Sequence, residues 1–560
     1  MESDWTTLGI LALGIAVVVG GMLWLKLHAF LALIVGALLV GLLTPRIHVE
    51  RYGLDRARVE VVSVTPSLNL VELGTSAQKG TRYMVLRADR QAGQFVKVGE
   101  LEVEDVGRPF PNRGRQIRSM ARWTAPNGLE LASSDRVVSP EAHRAARQLA
   151  SQSVGERVAT EFGATCAKIG LLIAMASLIG RCLLESGAAD RIVRSALRAF
   201  GQKGAPMAFL ASGFLLGIPV FFDTVFYLLI PLGKALHLRT KHSYLFYVLT
   251  IVAGATMTHS LVPPTPGPLF VAEQLGVDVG VMILAGMLVG LFTSMTGYLY
   301  ASFVNRRWHV PLRDSELHPL AQLQDLSNRN EQDLPPLWLA LLPIILPVAL
   351  IGSLTIVESL RLPLPTLANQ ALLALGDKNT ALFLAAGVSV MTLVQQKKCR
   401  IGDLSKSLQS ALEGAGMIIL ITAGGGAFGG LVQQTGVDSL VRELPRASPA
   451  ILILLAFLIT VAVRTAQGSA TVAMITAVGI LSGIADPASL RFHPVYLALA
   501  IGCGSKPIQW MNDSGFWVIC RMSDLTESEM LRFVTPMTGL MGVVGVSILM
   551  LAVSLFPMAP

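Results

Sequence analysis

The chain has 560 residues, of which 52% are hydrophobic and only 15% are charged. This composition, with a mean hydropathy of +0.58, excludes an ordinary soluble globular protein and indicates an integral membrane protein. The formal net charge of +8 does not indicate a nucleic-acid partner, because Lys and Arg in the short loops between apolar runs are expected of the cytoplasmic loops of membrane proteins.

Two apolar runs, 7–25 and 30–43, come first in the chain. The segment before them is acidic, with Glu2 and Asp4, and no small-residue cleavage site precedes the second run. Neither run therefore has the pattern of a cleaved signal peptide. Residues 1–45 are predicted to form an N-terminal pair of transmembrane helices.

Between residues 46 and 160 the sequence becomes charged and rich in turns. Stretches such as "RVEVVSVT" and "RYMVLRAD" alternate polar and apolar residues, which is the period of half-buried strands. We predict a small soluble β-rich domain inserted at 46–160, ending in a polar helix near 139–159 that leads into the membrane. Its sequence contains no cluster that resembles a catalytic site, which favours an accessory or docking role, although that role is open.

The rest of the chain is a series of apolar runs long enough to cross a bilayer of about 30 Å. We predict spans near 163–183, 205–235, 244–262, 277–301, 336–357, 379–395, 409–432, 449–463, 469–485, 494–510 and 533–556. Basic loops at 234–241, 306–313 and 397–406 can share the cytoplasmic side. If the 205–235 run crosses twice, the N-terminus is outside and the inserted domain is periplasmic.

Two parts of the chain resemble each other at an offset of about 249 residues, a spacing typical of an internal duplication. Residues 171–197 align with 418–444, and 253–268 align with 501–516. Between them, 217–231 falls opposite 463–476. We predict two transport repeats, 161–310 and 409–560, joined by a loop and transmembrane helices at 311–408. In transporters, interrupted segments at matching positions of two halves mark the binding site.

The stretch "THSLVPPTPGPLF", residues 258–270, breaks an apolar run with four prolines. Proline lacks an N–H and bars the preceding residue from helical angles, so this backbone is predicted to be non-helical. Such backbone is tolerated at membrane depth only where it lines a wet cavity or is buried in protein. Opened amides and helix N-termini could then bind an anion.

Several polar side chains lie inside these interrupted runs. Asp223 is either a proton or cation site or a capped carboxylate at a helix end. His259 could titrate, bind a substrate hydroxyl or pack in the core. In "TAGGGAFGG", Gly425 and Gly426 allow either a ligand or a neighbouring helix to approach closely.

The second half supplies a cation and several uncharged polar groups. In "RTAQGSATVAMIT", Arg464 is the natural partner of a carboxylate, or else an arginine that reaches the membrane surface. Uncharged partners follow it, namely Gln467, Ser469 and Thr471. The motif "MNDSGFW" places Asn512, Asp513 and Ser514 beside a glycine, which favours a functional site over packing.

Enzyme, metal and cofactor signatures are not predicted from the sequence. Residues 502–507, "GCGSKP", lack the Gly-Lys-Ser/Thr ending of a phosphate-binding loop. The five cysteines have no metal-ligand spacing, and the chain contains no HExxH motif. We therefore predict a protein that is not an enzyme and that needs no metal or cofactor.

Five stretches together resemble the gluconate permease (GntP) family, bacterial inner-membrane symporters for gluconate and related hydroxy acids. They are "GIPVFFDTVFYLLIPL", "THSLVPPTPGP", "ITAGGGAFGGLVQQTGVDSL", "RTAQGSATVAMITAVGI" and "NDSGFW", and the resemblance covers roughly residues 1–45 and 160–560. It implies an all-α polytopic membrane protein with two inverted structural repeats and interrupted or re-entrant helices, of elevator-like architecture. The small β-rich domain at 46–160 is absent from the family pattern.

This chain departs from the family at four positions. Family members often carry histidine where this chain has Thr265 and Trp510, and glutamate where it has Asp223. Lys506 adds a positive charge that the pattern does not contain.

The resemblance implies proton symport of gluconate or a related sugar acid across the bacterial inner membrane. The substrate-binding residues would be His259, Thr265, Gly267, Gly425, Gly426, Arg464, Gln467, Ser469, Thr471, Asn512 and Ser514, and the proton carriers Asp223 and Asp513. Two alternatives stay open: a sodium-coupled carrier of organic anions or dicarboxylates, and a membrane receptor that signals through 46–160. The expected partners are a small organic acid, a proton and the lipid bilayer, with a homodimer left open.

Overall fold

A computed structural model gives the fold of the chain. It describes residues 2–59, 61–65, 70–73, 78–89, 94–106, 119–124, 131–132, 135–240, 244–313, 334–397, 401–436, 448–481, 490 and 492–558. The coordinates divide into two compact units, one made of Met1–Gly14, Gly36–Thr160 and Gly430–Val441 and the other of Ile15–Val35, Glu161–Gly429 and Arg442–Pro560.

Helices dominate the described chain. The first ten are α1 (Glu2–Leu23), α2 (Ala29–Leu43), α3 (Arg46–Arg56), α4 (Pro140–Ser151), α5 (Val154–Glu185), α6 (Ala188–Phe200), α7 (Ala205–Leu216), α8 (Phe222–Thr240), α9 (Tyr244–Leu261) and α10 (Pro266–Gln274). The remainder are α11 (Val279–Arg307), α12 (Leu337–Leu360), α13 (Thr366–Gly376), α14 (Lys378–Lys397), α15 (Ile401–Gln433), α16 (Pro449–Gln467), α17 (Ala470–Leu481), α18 (Val495–Gly504), α19 (Ser514–Ser523), α20 (Glu527–Glu529) and α21 (Thr535–Leu555). A π-helical segment, Met530–Val534, joins the last two.

Within the described residues, seven helices are long and apolar enough to cross a membrane, or nine if two bent helix pairs each count as one span. Four shorter apolar helices accompany them, including α7, α17 and α18. The chain is therefore a multi-pass membrane protein, as its composition predicts.

Several predicted spans are divided or shortened in the structure. The run predicted at 205–235 consists of α7 and α8 with a break between them at 217–221, which contains Pro219. The run predicted at 494–510 ends as a helix at Gly504, two residues before the Lys506–Pro507 peptide bond. The predicted span 469–485 starts as α17, and its last four residues lie outside the described part of the chain. The polar helix predicted at 139–159 is α4 followed by the start of α5.

The first unit contains a six-stranded antiparallel sheet. Its strands are β1 (Val61–Thr65), β2 (Leu70–Leu73), β3 (Arg82–Asp89), β4 (Gln94–Val106), β5 (Ser119–Thr124) and β6 (Arg136–Val138), in the spatial order β1-β2-β5-β4-β3-β6. Alternate residues such as Val71, Leu73, Val85 and Leu101 are buried on one face, as the period-2 pattern predicts. A second small core joins the sheet to α3 and α4, where Leu54 and Ala146 are buried.

The same unit also includes the C-terminal end of α15. Arg157 is buried and donates through Nη1 to Oε1 of Gln434 over 2.9 Å and through Nη2 to the carbonyl oxygen of Gly41 over 3.0 Å. Nδ1 of His48 lies 2.6 Å from the carbonyl oxygen of Thr435. The hydroxyl of Tyr52 donates to the side chain of Gln433 over 3.1 Å. These bonds satisfy polar groups at a helix end, where carbonyls lack helical partners.

The second unit has a large apolar core around α9, which is buried on almost every side. Close packing against α7 requires glycine at position 254, because a Cβ there would collide with the carbonyl oxygen of Leu210. Gly286 on α11 meets the carbonyl oxygen of Leu261 in the same way. Small residues at these crossings let helix backbones touch, as is usual in membranes.

Candidate functional site

One cavity of about 400 Å³ lies within the second unit. Its walls come from both halves of the chain and are made largely of residues at helix ends and breaks. The lining residues are Phe221, Phe222, Asp223, Thr224, Thr256, His259, Pro266, Ile418, Ile421, Thr422, Arg464, Ser469, Ala470, Thr471, Val472, Lys506, Gln509, Asp513, Ser514 and Gly515.

Four helices begin at this cavity. The first residues of α8 (Phe222), α10 (Pro266), α17 (Ala470) and α19 (Ser514) all line it. The breaks before them follow from local sequence: prolines precede α10, and Gly468, with a φ of 91°, ends α16 just before α17. Because the first turns of helices carry unpaired N–H groups and a partial positive charge, the cavity favours an anion.

Arg464 and Asp513 form a buried ion pair at the cavity wall. Nη2 of Arg464 donates to Oδ2 of Asp513 over 2.5 Å, and its Nε donates to the carbonyl oxygen of Ser505 over 3.0 Å. The other carboxylate oxygen of Asp513 accepts from the backbone N–H of Gly515 over 2.9 Å, which caps α19. The pair therefore joins the end of α16 to the start of α19. Nη1 of Arg464 is buried without a hydrogen-bond partner among the described residues.

Two further charged groups line the cavity. Lys506 is only 6% exposed, and Asp223 is half-buried in the first turn of α8. In the part of the chain that the structure describes, neither side chain makes a hydrogen bond or an ion pair. A cation and a carboxylate are thus both available to a ligand.

His259, near the end of α9, also lines the cavity. Its ring meets that of Phe221 edge-on, with 6.0 Å between centroids. Nδ1 is buried and unpaired with any described residue. The imidazole therefore offers a polar atom that the protein leaves unused.

The structure brings together seven of the sequence-predicted site residues. Asp223, His259, Arg464, Ser469, Thr471, Asp513 and Ser514 all line the cavity. The first two come from the first half of the chain and the others from the second half. Hydroxyls of Ser469, Thr471 and Ser514 surround the starts of α17 and α19.

The other six predicted residues are not among those that line the cavity. The hydroxyl of Thr265 donates to the carbonyl oxygens of His259 and Val262, each over 2.8 Å, and so closes the break before α10. The amide of Asn512 donates to the carbonyl oxygen of Thr465 over 2.8 Å at the end of α16. Gln467 is half-buried, and its Oε1 has no partner among the described residues.

The three glycines on this list lie against neighbouring side chains. A Cβ at Gly267 would approach Met474, one at Gly425 would collide with Ile475, and one at Gly426 would collide with Thr165. Triple glycine in α15 therefore allows neighbouring helices to pack closely, which is the alternative that the sequence left open.

Some lining residues escaped prediction. Lys506 is an isolated cation in an apolar run, and that signal could have placed it in the site. Thr224, Thr256, Thr422 and Gln509 carry no comparable signal, because single hydroxyls and amides are common inside membrane helices. Their orientation depends on how the helices pack.

Residues 143–556 match a known protein family, described as GntP family permease. The chain belongs to this family. It is 33% identical over 400 residues to an uncharacterized permease of Haemophilus influenzae, covering 70% of this chain and 81% of the relative. It is 32% identical over 395 residues to a gluconate permease of Pseudomonas aeruginosa, covering 70% of this chain and 85% of that protein.

Among solved structures, the fold is similar to that of Neisseria gonorrhoeae MtrF. The TM-score is 0.53 at 15% sequence identity, and the match covers 78% of this chain and 92% of the other. At this identity the likeness concerns the fold alone.

Membership in the GntP family accounts for the helical core but not for the sheet. The six strands, which end at Val138, precede the matched region, whereas every residue that lines the cavity lies inside it. The cavity therefore belongs to the part of the chain that GntP permeases share.

Proposed function

We propose that this GntP-family chain is a secondary active transporter that carries gluconate or a related sugar acid together with a proton. The observation that carries the proposal is the cavity at which four helix N-termini, Lys506 and Asp223 meet. Its volume of about 400 Å³ lies in the range of small-molecule sites and suits a six-carbon acid. A relative that is 32% identical over 395 residues is named a gluconate permease, which supports the same substrate class.

In this proposal, different groups of the cavity bind the acid group and the hydroxyls of the substrate. The acid group binds at the helix N-termini and the basic side chains. Ser469, Thr471, Ser514 and His259 pair with substrate hydroxyls, since each lines the cavity with a polar side chain. Thr265, Asn512 and the three glycines, Gly267, Gly425 and Gly426, hold the surrounding helices in place, whereas Gln467 is left without a role in the site.

Asp223 is the residue that we assign to the coupling proton. It has no hydrogen-bond or ion-pair partner within the described residues and lies where solvent in the cavity can reach it. Asp513 is less suited to this role, because both of its oxygens are engaged by Arg464 and Gly515. It is assigned instead to positioning the start of α19.

We further propose that two inverted repeats, 161–310 and 409–560, form the transport core and work in an elevator-like manner. The supporting observation is that breaks from both halves, 217–221 and 262–265 in one and 468–469 and 505–513 in the other, adjoin the same cavity. Placement in the bacterial inner membrane, with the sheet on the periplasmic side, is part of the proposal.

The test is uptake of labelled gluconate into proteoliposomes that contain the purified chain. We expect labelled gluconate to accumulate inside the proteoliposomes when the outside is acidic, and only to equilibrate across the membrane when the pH is equal on both sides. Uptake that depends on a sodium gradient and not on pH would show that sodium, and not a proton, is the coupling ion. Absence of uptake for every sugar acid tried, from liposomes in which the protein is folded, would refute the proposed substrate class.

A further inference from the structure

We propose that Lys506 anchors the carboxylate of the substrate, with Nη1 of Arg464 as the second donor. The inference rests on the proposed function, because it states how the same cavity recognises the acid group. It differs from the expectation based on sequence, in which Arg464 is the counter-charge.

Lys506 is a buried basic side chain whose ammonium group has no hydrogen-bond or ion-pair partner among the described residues. It is 6% exposed and lines the cavity, yet it forms no ion pair with any described carboxylate. Burial of an unpaired ammonium group costs several kcal/mol, roughly, unless an anion joins it. An unpaired lysine at the wall of a cavity inside a membrane protein indicates a ligand of opposite charge.

Arg464 is already committed to the protein. Its Nε and Nη2 bind the carbonyl oxygen of Ser505 and the carboxylate of Asp513, so its charge is compensated. Only Nη1 remains, buried and without a partner among the described residues. Arg464 can therefore supply a directed hydrogen bond to a carboxylate, whereas Lys506 supplies the net charge.

The position of Lys506 is fixed by the chain around it. Its backbone N–H, just after α18, donates to the carbonyl oxygen of Cys503 in the last turn of that helix. Pro507 follows, and the residue before a proline is disfavoured in helical geometry. Pro507 in turn packs against Gly542 of α21, where a Cβ would lie 2.9 Å from its ring. The lysine therefore lies in the break after α18 and not within a continuous helix.

The charges of the cavity also define the class of acid. Once Arg464 and Asp513 compensate each other, the charged groups left among the described lining residues are one cation, Lys506, and one carboxylate, Asp223. A single carboxylate on the substrate pairs with the cation. A second carboxylate would meet Asp223 and be repelled, so the cavity fits a hydroxy monocarboxylate better than a dicarboxylate.

The experiment compares the wild-type chain with Lys506→Met and Lys506→Arg by equilibrium binding of labelled gluconate in detergent. Lys378→Met is the matched control, because that lysine is also in the membrane region but pairs with Glu273 over 2.8 Å and is not among the cavity's lining residues. We expect Lys506→Met to bind gluconate at least about tenfold more weakly, which is the loss expected for a charge-assisted bond. Lys506→Arg should keep most of the affinity, and the control should keep all of it.

The melting temperature without ligand separates an anchor from a structural residue. Removal of an uncompensated buried charge should leave the melting temperature of Lys506→Met equal to that of the wild type or higher. If Lys506→Met binds gluconate with the same affinity as the wild type, Lys506 is not the anchor, and the proposed function is unaffected. A lower melting temperature of Lys506→Met also overturns it, since the lysine would then stabilise the fold. A folded wild type that binds no sugar acid overturns the proposed function together with the anchor.

Discussion

Nη2 of Arg464 and Oδ2 of Asp513 lie 2.5 Å apart although 49 positions separate the two residues in the chain. Both side chains are buried, with 4% and 7% of their surface exposed. The pair fixes the end of one broken helix to the start of another, and so it shapes the wall of the cavity.

Breaking this pair should destabilise the folded chain. Asp513→Ala leaves the Arg464 guanidinium buried without its anion, which costs about 3–5 kcal/mol in comparable buried pairs. We expect a clear fall in the melting temperature of the purified protein in detergent. Replacement of both residues by apolar ones, Arg464→Met with Asp513→Leu, should recover part of the loss. A single variant as stable as the wild type would show that the pair is not structural.

Asp223→Asn tests the coupling assignment. The amide does not ionise near neutral pH and so cannot carry a proton across the membrane; the variant should still equilibrate labelled gluconate but lose accumulation driven by pH. A gradient of one pH unit is worth about 1.4 kcal/mol, or about tenfold accumulation by a one-proton symporter, and this factor should fall to about one. Counterflow and net uptake in the same proteoliposomes measure the two effects. Glu413→Gln, an exposed position on α15, is the control. Full accumulation by Asp223→Asn would rule out its role.

Gly425→Ala tests whether glycine at this position serves helix packing. The new methyl group would collide with Ile475, and overpacking of this kind costs about 1–3 kcal/mol. Gly416→Ala on the same helix is the matched control, because nothing lies within 4 Å of a Cβ there. Thermal unfolding should show a loss only for the first variant. Equal stability of both alanine variants would contradict tight packing at Gly425.

Arg157→Met should loosen the C-terminal end of α15. Its two hydrogen bonds, to Gln434 and to the carbonyl of Gly41, are buried, and loss of a charged donor leaves acceptors unpaired at a cost of about 1–3 kcal/mol. Hydrogen exchange of peptides that cover 430–436 should become faster. Arg147→Met, whose side chain is 56% exposed, provides the control. Unchanged exchange in Arg157→Met would mean that the other bonds hold the helix end alone.

The environment of His143 should make the stability of the folded chain depend on pH. Burial lowers its pKa, and so does Arg147, while Glu50 acts in the opposite direction. The folded state therefore binds this proton less readily than the unfolded state, whose pKa is about 6.5. The folded chain should lose stability as the pH falls below that value and through the lower folded pKa. His143→Gln should flatten this part of the profile of melting temperature against pH. An identical profile for both proteins would exclude the histidine as its source.

Much of the architecture follows from local sequence. Apolar runs of bilayer length can only be helices in lipid, since each backbone group must be paired within the segment. The prolines before Pro266 and the glycine at 468 likewise interrupt helices through local effects, because each residue restricts or permits particular backbone angles at its own position. For the same reason, the alternating pattern that ends at Val138 indicates strands without reference to the rest of the chain.

The composition of the cavity depends instead on how the helices pack. Asn512 and Asp513 are neighbours in sequence, yet one bonds to the end of α16 outside the lining and the other pairs with Arg464 in the wall. Thr422 lines the cavity, whereas Gly425, less than one turn further along α15, faces Ile475. Which face of a helix meets water is set by its rotation against its neighbours, and no local pattern encodes that rotation when every face is apolar. Lys506 is therefore visible in the sequence as a charge, and only tertiary packing leaves it without a partner at the cavity wall.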